Sequence, residues 1–196
     1  MRLPAFRRDC RVHAPQRVKS GVGPNSHNHM ATIELLALDR TDWERVAEDP
    51  AIFAGQHKVA LGAEPDFLRT VAKQTLTLLD RTGVTTPPWS GYLALDRARD
   101  TIVGICSFTA PPDSEGVVEI AYFTFPGFEG VGVATAMAAE LVACARSATG
   151  VRRLITHTLP EKNASTRILE KTGFRRFGDV IDPEDGLVWR WERDPI

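Results

Sequence analysis

The sequence predicts an α+β domain built on a mixed sheet. Three observations carry that reading. Segments with apolar alternation are joined mostly by short polar turns, so hairpins dominate the middle and end of the chain. One stretch, Glu119 to Thr135, runs strand, glycine turn and apolar helix, which sets a helix as crossover between central strands. The length, 196 residues with 43% hydrophobic content, suits one domain with a sizeable core.

The elements follow in order. Met1 to His29 is polar and basic, with Pro4, Pro15 and Pro24, no apolar periodicity and no apolar core of a secretory signal. Disorder is the expectation for residues 1–30, either as a working arm or as a mis-assigned start ahead of Met30. His27 and His29 read as solvated tail residues. Thr32 to Leu38 reads as a first strand. Asp39 or Thr41 then offers an N-cap, and Glu44 completes a capping-box pattern with Thr41. That helix runs to about Glu48 before Pro50, with a short one after it. Pro65 opens a longer helix with Phe67, Leu68, Val71, Leu76, Leu78 and Leu79 at helical spacing, and Gly83 stops it.

Trp89 to Asp96 and Thr101 to Ala110 form a hairpin, and Val117 to Phe125 is the next strand. The helix Gly130 to Arg146 buries Val133, Met137, Leu141 and Val142. Its small residues Ala134, Ala138 and Ala145 let it lie close to the sheet. Val151 to Leu159 is a strand, and Ala164 to about Lys171 a short helix with Ile168 and Leu169 inward, stopped by Gly173. Phe174 to Asp182 and Leu187 to Arg193 close the chain as a strand pair. The order is β-αα-βββ-α-β-α-ββ.

Charge excludes some roles. Six basic residues against one acidic in Met1 to Met30 leave 18 basic and 24 acidic residues, a net −6, for the rest. Nucleic acid is therefore not the favoured partner of the folded part. No apolar run reaches the roughly 18 residues that span a membrane. Cys10, Cys106 and Cys144 lack metal-ligand spacing and pairing logic; Cys106 and Cys144 sit in apolar contexts as buried thiols. This usage fits a reducing cytoplasm.

The chemistry concentrates at Glu119 to Thr135. A strand entering a glycine turn and then a helix aims several backbone N–H groups at one point, and the helix dipole adds positive potential there. Gly130 and Gly132 leave no Cβ, so backbone can wrap a diphosphate, with Val131, Gly132, Val133, Ala134 and Thr135 as N–H donors. The dinucleotide fingerprint is incomplete because position 135 is Thr, and no Gly-Lys-[Ser/Thr] follows the turn.

Three motifs resemble the GNAT superfamily of acyl-CoA-dependent N-acyltransferases, from about Ala31 to the end. They are Glu119-Ile120-Ala121-Tyr122, the turn Glu129-Gly130-Val131-Gly132-Val133-Ala134, and Asn163-Ala164-Ser165 followed by Glu170-Lys171-Thr172-Gly173-Phe174. The likeness is greatest to the branch containing ribosomal-protein alanine N-acetyltransferases. In the turn, Gly132 and Ala134 match the superfamily's pattern, whereas Glu129 stands where the family has Gln or Arg. A carboxylate there disfavours a pyrophosphate unless it points to solvent.

The resemblance implies a mixed central sheet of about six to seven strands, two of them splayed, flanked by about four helices. It implies acetyl-CoA as co-substrate, no metal, and pantetheine between Tyr122 to Phe125 and Leu154 to Thr158. Tyr122, Phe123 and Thr124 would contact it. Asn163 either reaches the pantetheine or caps the helix at Ala164, and both roles are compatible. A base is needed to free the amine of its proton. Glu119, costly to bury unpaired in an apolar strand, and His157 are the candidates, though His157 has an equal reading as a hydrogen-bonded structural residue. The family's donor tyrosine is replaced by Leu169. Ser165 either relays a proton or is a plain first-turn serine, and Tyr92 and Tyr122 are the two tyrosines.

The expected activity is acetyl transfer to a primary amine, a small molecule or a protein N-terminus, by direct attack on the thioester. The chain would work as a monomer or homodimer, without nucleic acid or membrane partners. A catalytically silent acyl-CoA-binding module is the competing expectation. Trp43, Phe53, Pro87 to Trp89 and Phe108 to Pro112 either border the acceptor or belong to the core.

Overall fold

Hairpins and the crossover helix both form where the alternation places them. A computed structural model describes residues 32–183 and 185–194. The expectations on the basic extension, on His27 and His29 and on Cys10 lie outside the described residues. Among the described residues, strands and helices alternate as follows. They are β1 (Ile33–Ala37), α1 (Arg40–Glu48), α2 (Pro50–Gln56), β2 (Ala60–Leu61), α3 (Pro65–Thr82), β3 (Tyr92–Asp96), β4 (Thr101–Phe108) and β5 (Val117–Thr124). Then come α4 (Val133–Ser147), β6 (Arg153–Thr158), α5 (Ala164–Lys171), β7 (Arg175–Asp182) and β8 (Gly186–Arg193).

The mixed sheet runs β1-β3-β4-β5-β6-β8-β7, with β2 beside β4. That is eight strands and five helices among the described residues, one more of each than the upper expectation. The added strand, β2, has two residues and pairs in parallel with Thr101 and Ile102, too short for any periodicity to reveal. All main-path pairs are antiparallel except β5 with β6, which the α4 crossover joins in parallel.

Each face of the sheet carries a core. On one side α4 and α5 bury Val133, Met137, Leu141 and Leu169 against Val118, Ile120 and Leu154. On the other, α1, α2 and α3 bury Trp43, Phe53, Leu68 and Leu79 against Leu93 and Ile105. Phe53 is thus core. Alternation along β5 sends Val118, Ile120 and Tyr122 toward α4, and Glu119, Ala121 and Phe123 toward the α1–α3 side.

Two boundaries move from expectation. Of the two expected caps Asp39 is the N-cap of α1, and its box closes with Asp42 rather than Thr41's with Glu44: Asp42 N–H donates to Asp39 Oδ1 at 2.8 Å and Asp39 N–H to Asp42 Oδ2 at 3.3 Å. Glu44 instead accepts from Arg40 Nε. Helix α4 starts at Val133 rather than Gly130, because Gly130 and Gly132 have φ of +75° and +93° and form the turn. Gly83, at φ +68°, ends α3 as expected.

Candidate active site

The site begins where two strands part. Strands β5 and β6 share only three register pairs, Val117 with Arg153, Val118 with Leu154 and Glu119 with Ile155. Beyond Glu119, β5 continues against β4 alone, and beyond Ile155, β6 continues against β8. The splay therefore opens at Ile120 and Thr156. Leu154, expected within the opening, lies in the paired part instead, because the parallel ladder persists two residues further than expected.

A cleft of about 110 Å³ occupies the opening. Ile120, Ala121 and Tyr122 wall it from β5, and Thr156, His157 and Thr158 from β6, with Asn163 and Ser165 from the start of α5. Asp185 and Val188, from the β7–β8 hairpin, complete it. These last two carry no local sequence signal. They reach the cleft only because β8 inserts between β6 and β7.

Glu119 and His157 meet at the fork. Their register places them diagonally on one face, and His157 Nδ1 lies 2.8 Å from Glu119 Oε1. Both side chains are 4% exposed. A carboxylate buried to this degree needs a charge or hydrogen-bond partner, and the imidazole supplies one. With Nδ1–H donating to the carboxylate, Nε2 is the nitrogen that can accept a proton. The two separate candidates for the base are thus one hydrogen-bonded pair.

Asn163 does cap α5. Its Oδ1 accepts from Thr166 N–H at 3.2 Å, and Thr166 Oγ1 accepts from Asn163 N–H at 3.1 Å. It also lines the cleft. Ser165 faces the same cleft from the first turn of α5. Tyr122 walls the cleft, but Tyr92 does not: it is 4% exposed, packed in the α4-side core. Burial pushes its phenol far above the usual value, with the Cys144 thiol adding to the shift. Leu169 is fully buried in the core. Cys106 is buried, which raises its thiol strongly, and Cys144 is half-buried.

The glycine turn lies at the other end of β5. Helix α4 has Gly132 as N-cap with no side-chain cap, and its first intrahelical bond is Ala136 N–H to Gly132 O at 3.0 Å. The N–H groups of Val133, Ala134 and Thr135 precede that bond. A Cβ at Gly130 or Gly132 would meet nothing within 4 Å, so the backbone faces open space. The Glu129 carboxylate folds back onto its own loop: Oε2 accepts from Gly127 N–H at 2.7 Å. At the end of β5 the buried Thr124 hydroxyl has no hydrogen-bond partner among the described residues. Exposed donors, an open backbone and an orphaned hydroxyl in line with the splay fit a diphosphate carrying a pantetheine arm.

A family model described as an acetyltransferase (GNAT) domain matches residues 33–175. The chain belongs to the GNAT acetyltransferases. Solved structures with a similar fold include RimL, a ribosomal L7/L12 alpha-N-protein acetyltransferase in complex with coenzyme A. It is 19% identical, with a TM-score of 0.57 over 84% of this chain and 96% of that one. The aminoglycoside acetyltransferase AAC(6')-Ib, in complex with coenzyme A and kanamycin, is 19% identical with a TM-score of 0.58, covering 83% and 95%. A GNAT-family acetyltransferase from Bacillus anthracis is 17% identical with a TM-score of 0.56, covering 83% and 95%. At such identities the likeness speaks to the fold. No curated protein matches this chain at a significant level. Among the described residues, no helix is long and apolar enough to cross a membrane, and no group of three His, Cys, Asp or Glu side chains could hold a metal ion.

Proposed function

We propose that this GNAT acetyltransferase moves an acetyl group from acetyl-CoA to a primary amine by direct attack, with no acyl-enzyme stage. The Glu119–His157 pair at the fork of the splay carries the reading. Acetyl-CoA supplies the thioester whose carbonyl the amine attacks. Gly130 to Thr135 hold the diphosphate through backbone N–H groups, and Tyr122, Phe123, Thr124 and Asn163 line the course of the pantetheine. His157 takes the amine proton on Nε2, and Glu119, acting through Nδ1, holds the ring and stabilises the imidazolium. Ser165 relays a proton to the departing thiolate. A thiol of pKa near 8.5 needs little such help, so the loss of the family tyrosine at Leu169 is compatible with turnover.

A silent CoA-binding module would need the glycine turn and not the pair. Calorimetry with CoA, followed by CoA release from acetyl-CoA over a panel of amines, separates the two. The enzyme should bind CoA, release it with some amine, and lose that release in His157→Ala. Binding without release on a broad panel would favour the silent module, and no binding by a folded protein would sink both.

A further inference from the structure

A second, smaller opening lies on the flank of β5 that faces β4, away from β6. It measures about 20 Å³ and shares Ala121 and Tyr122 with the larger cleft. Small residues side by side make its floor. Ser107 of β4 is the register partner of Ala121. A Cβ on Gly91, just before β3, would lie 3.7 Å from Ser107 Cβ and 3.2 Å from the Trp43 ring. Gly91 has φ of +101°, which keeps that position a glycine and the floor low. Leu78 of α3 walls the opening from above the sheet, and Trp43 of α1 closes one end.

The walls select an apolar guest. Three of their polar side chains are spent on partners of their own: Trp43 Nε1–H donates to Ser90 O at 2.6 Å, Ser90 Oγ–H to Leu38 O at 2.5 Å, and Thr75 Oγ1–H to Val71 O at 3.0 Å. A water needs two to four polar partners and finds few here, whereas an alkyl group gains contact on every side. One water-sized group takes roughly 10–15 Å³. The opening therefore admits one methyl or methylene group, with room for a second at most.

Charge decides which reactant supplies that group. The amine arrives as an ammonium ion, and the carboxylates that can meet it act on the β6 side of β5. Glu119 reaches across to His157, and Asp185 enters the larger cleft from the β7–β8 hairpin. No wall of the small opening is an Asp, Glu, Lys, Arg or His. The acyl tail of a thioester carries no charge and loses nothing by entering. An arm passing Tyr122 delivers its acyl group to the lip at Ala121, with the tail toward β4 and the other side of the carbonyl open to His157.

We infer that the small opening is the acyl pocket, that Ser107 and Leu78 set its depth, and that propionyl-CoA is at least as good a donor as acetyl-CoA. Chains longer than butyryl do not fit it. The inference rests on the acyl-CoA course proposed above and names the donor range of that same site.

Calorimetry with the full chain and CoA, acetyl-CoA, propionyl-CoA, butyryl-CoA and hexanoyl-CoA reads the pocket without an acceptor. Propionyl-CoA should bind about fourfold tighter than acetyl-CoA, the gain from burying one methylene, and hexanoyl-CoA should lose that gain. Ser107→Val raises the floor and should remove the advantage of propionyl over acetyl. Leu78→Ala opens the roof and should move the tightest binding to butyryl-CoA or hexanoyl-CoA. Equimolar acetyl-CoA and propionyl-CoA, supplied together to a panel of amines, should give the propionyl amide in at least equal amount. Affinities flat in chain length, or tightest for acetyl-CoA, would overturn the inference. So would ratios unmoved in both variants when circular dichroism shows them folded, or an acetyl product in about tenfold excess, the discrimination one methylene can command. The expected order of affinities without product from any amine supports the pocket and removes only the acyl-transfer reading. A folded protein that binds no CoA removes both.

Discussion

A carboxylate only 5% exposed inside a sheet is stable with a partner, and Glu119 finds its partner 38 residues away in His157. The first half of that statement is legible in one sequence. A charge in an apolar strand calls for an explanation, and so does an imidazole on the strand after the crossover. Their union is not legible, because it depends on a parallel register that no local pattern encodes. A pair acting as one unit makes a distinct kinetic prediction. Glu119→Gln and His157→Ala should each lower kcat by roughly 10²–10⁴-fold, the range of general-base catalysis. The double variant should be no slower than the worse single, since removing either member removes the function of both. Multiplying losses would show two independent roles and overturn the pairing. Removing one member of a buried pair also destabilises by about 3–5 kcal/mol, so urea midpoints must accompany the rates.

At the level of elements, what the chain spells out locally is mostly what forms. Gly83 ends α3, Asn163 caps α5, and the small residues of α4 lie against the sheet. Two boundaries differ for local reasons. At the start of α1 Asp39, one of the two expected caps, takes the N-cap, and the box closes on Asp42, three residues on, while Glu44 pairs with Arg40. Gly130 looked like the first helical residue, yet two positive-φ glycines make a turn that delays α4 to Val133. That turn is testable by itself. Gly132→Ala forces a Cβ onto φ of +93°, at a cost of about 1–2 kcal/mol. If the free turn relaxes to relieve that strain, CoA binding must restore it, which should raise the calorimetric Kd for CoA roughly tenfold while leaving the KM for the amine unchanged. Gly178→Ala, where a Cβ meets nothing and φ is unremarkable, serves as the control. Equal Kd values in the two variants would rule out the turn as the diphosphate clamp.

Over the whole molecule, the sheet is two halves meeting at a short seam. The four strands β1-β3-β4-β5 join β6-β8-β7 through three residue pairs only. Helix α4 packs on β1, β4 and β5 of the first half and on α5. The crossover nature of α4 was legible from the sequence, whereas the insertion of β8 beside β6 was not, since strand order depends on pairings between distant residues. A short seam with a cleft running on from it has a thermodynamic consequence. A ligand lying in the splay contacts both halves and is absent from the unfolded state, so binding adds RT ln(1 + [L]/Kd) to stability. At one hundred times Kd this is about 2.7 kcal/mol. For a chain of this size each kcal/mol moves Tm by about 2–4 °C, so CoA should raise it by roughly 5–10 °C. Pantetheine, which can fill the splay but not engage Gly130 to Thr135, should give a smaller rise at equal concentration. ADP should give the complementary part, and Gly132→Ala should lower the ADP contribution by up to about 1.4 kcal/mol, the equivalent of a tenfold rise in Kd, while sparing that of pantetheine. A scan in which millimolar CoA leaves Tm unmoved, while the protein melts cooperatively, would exclude both the clamp and the splay as its binding site.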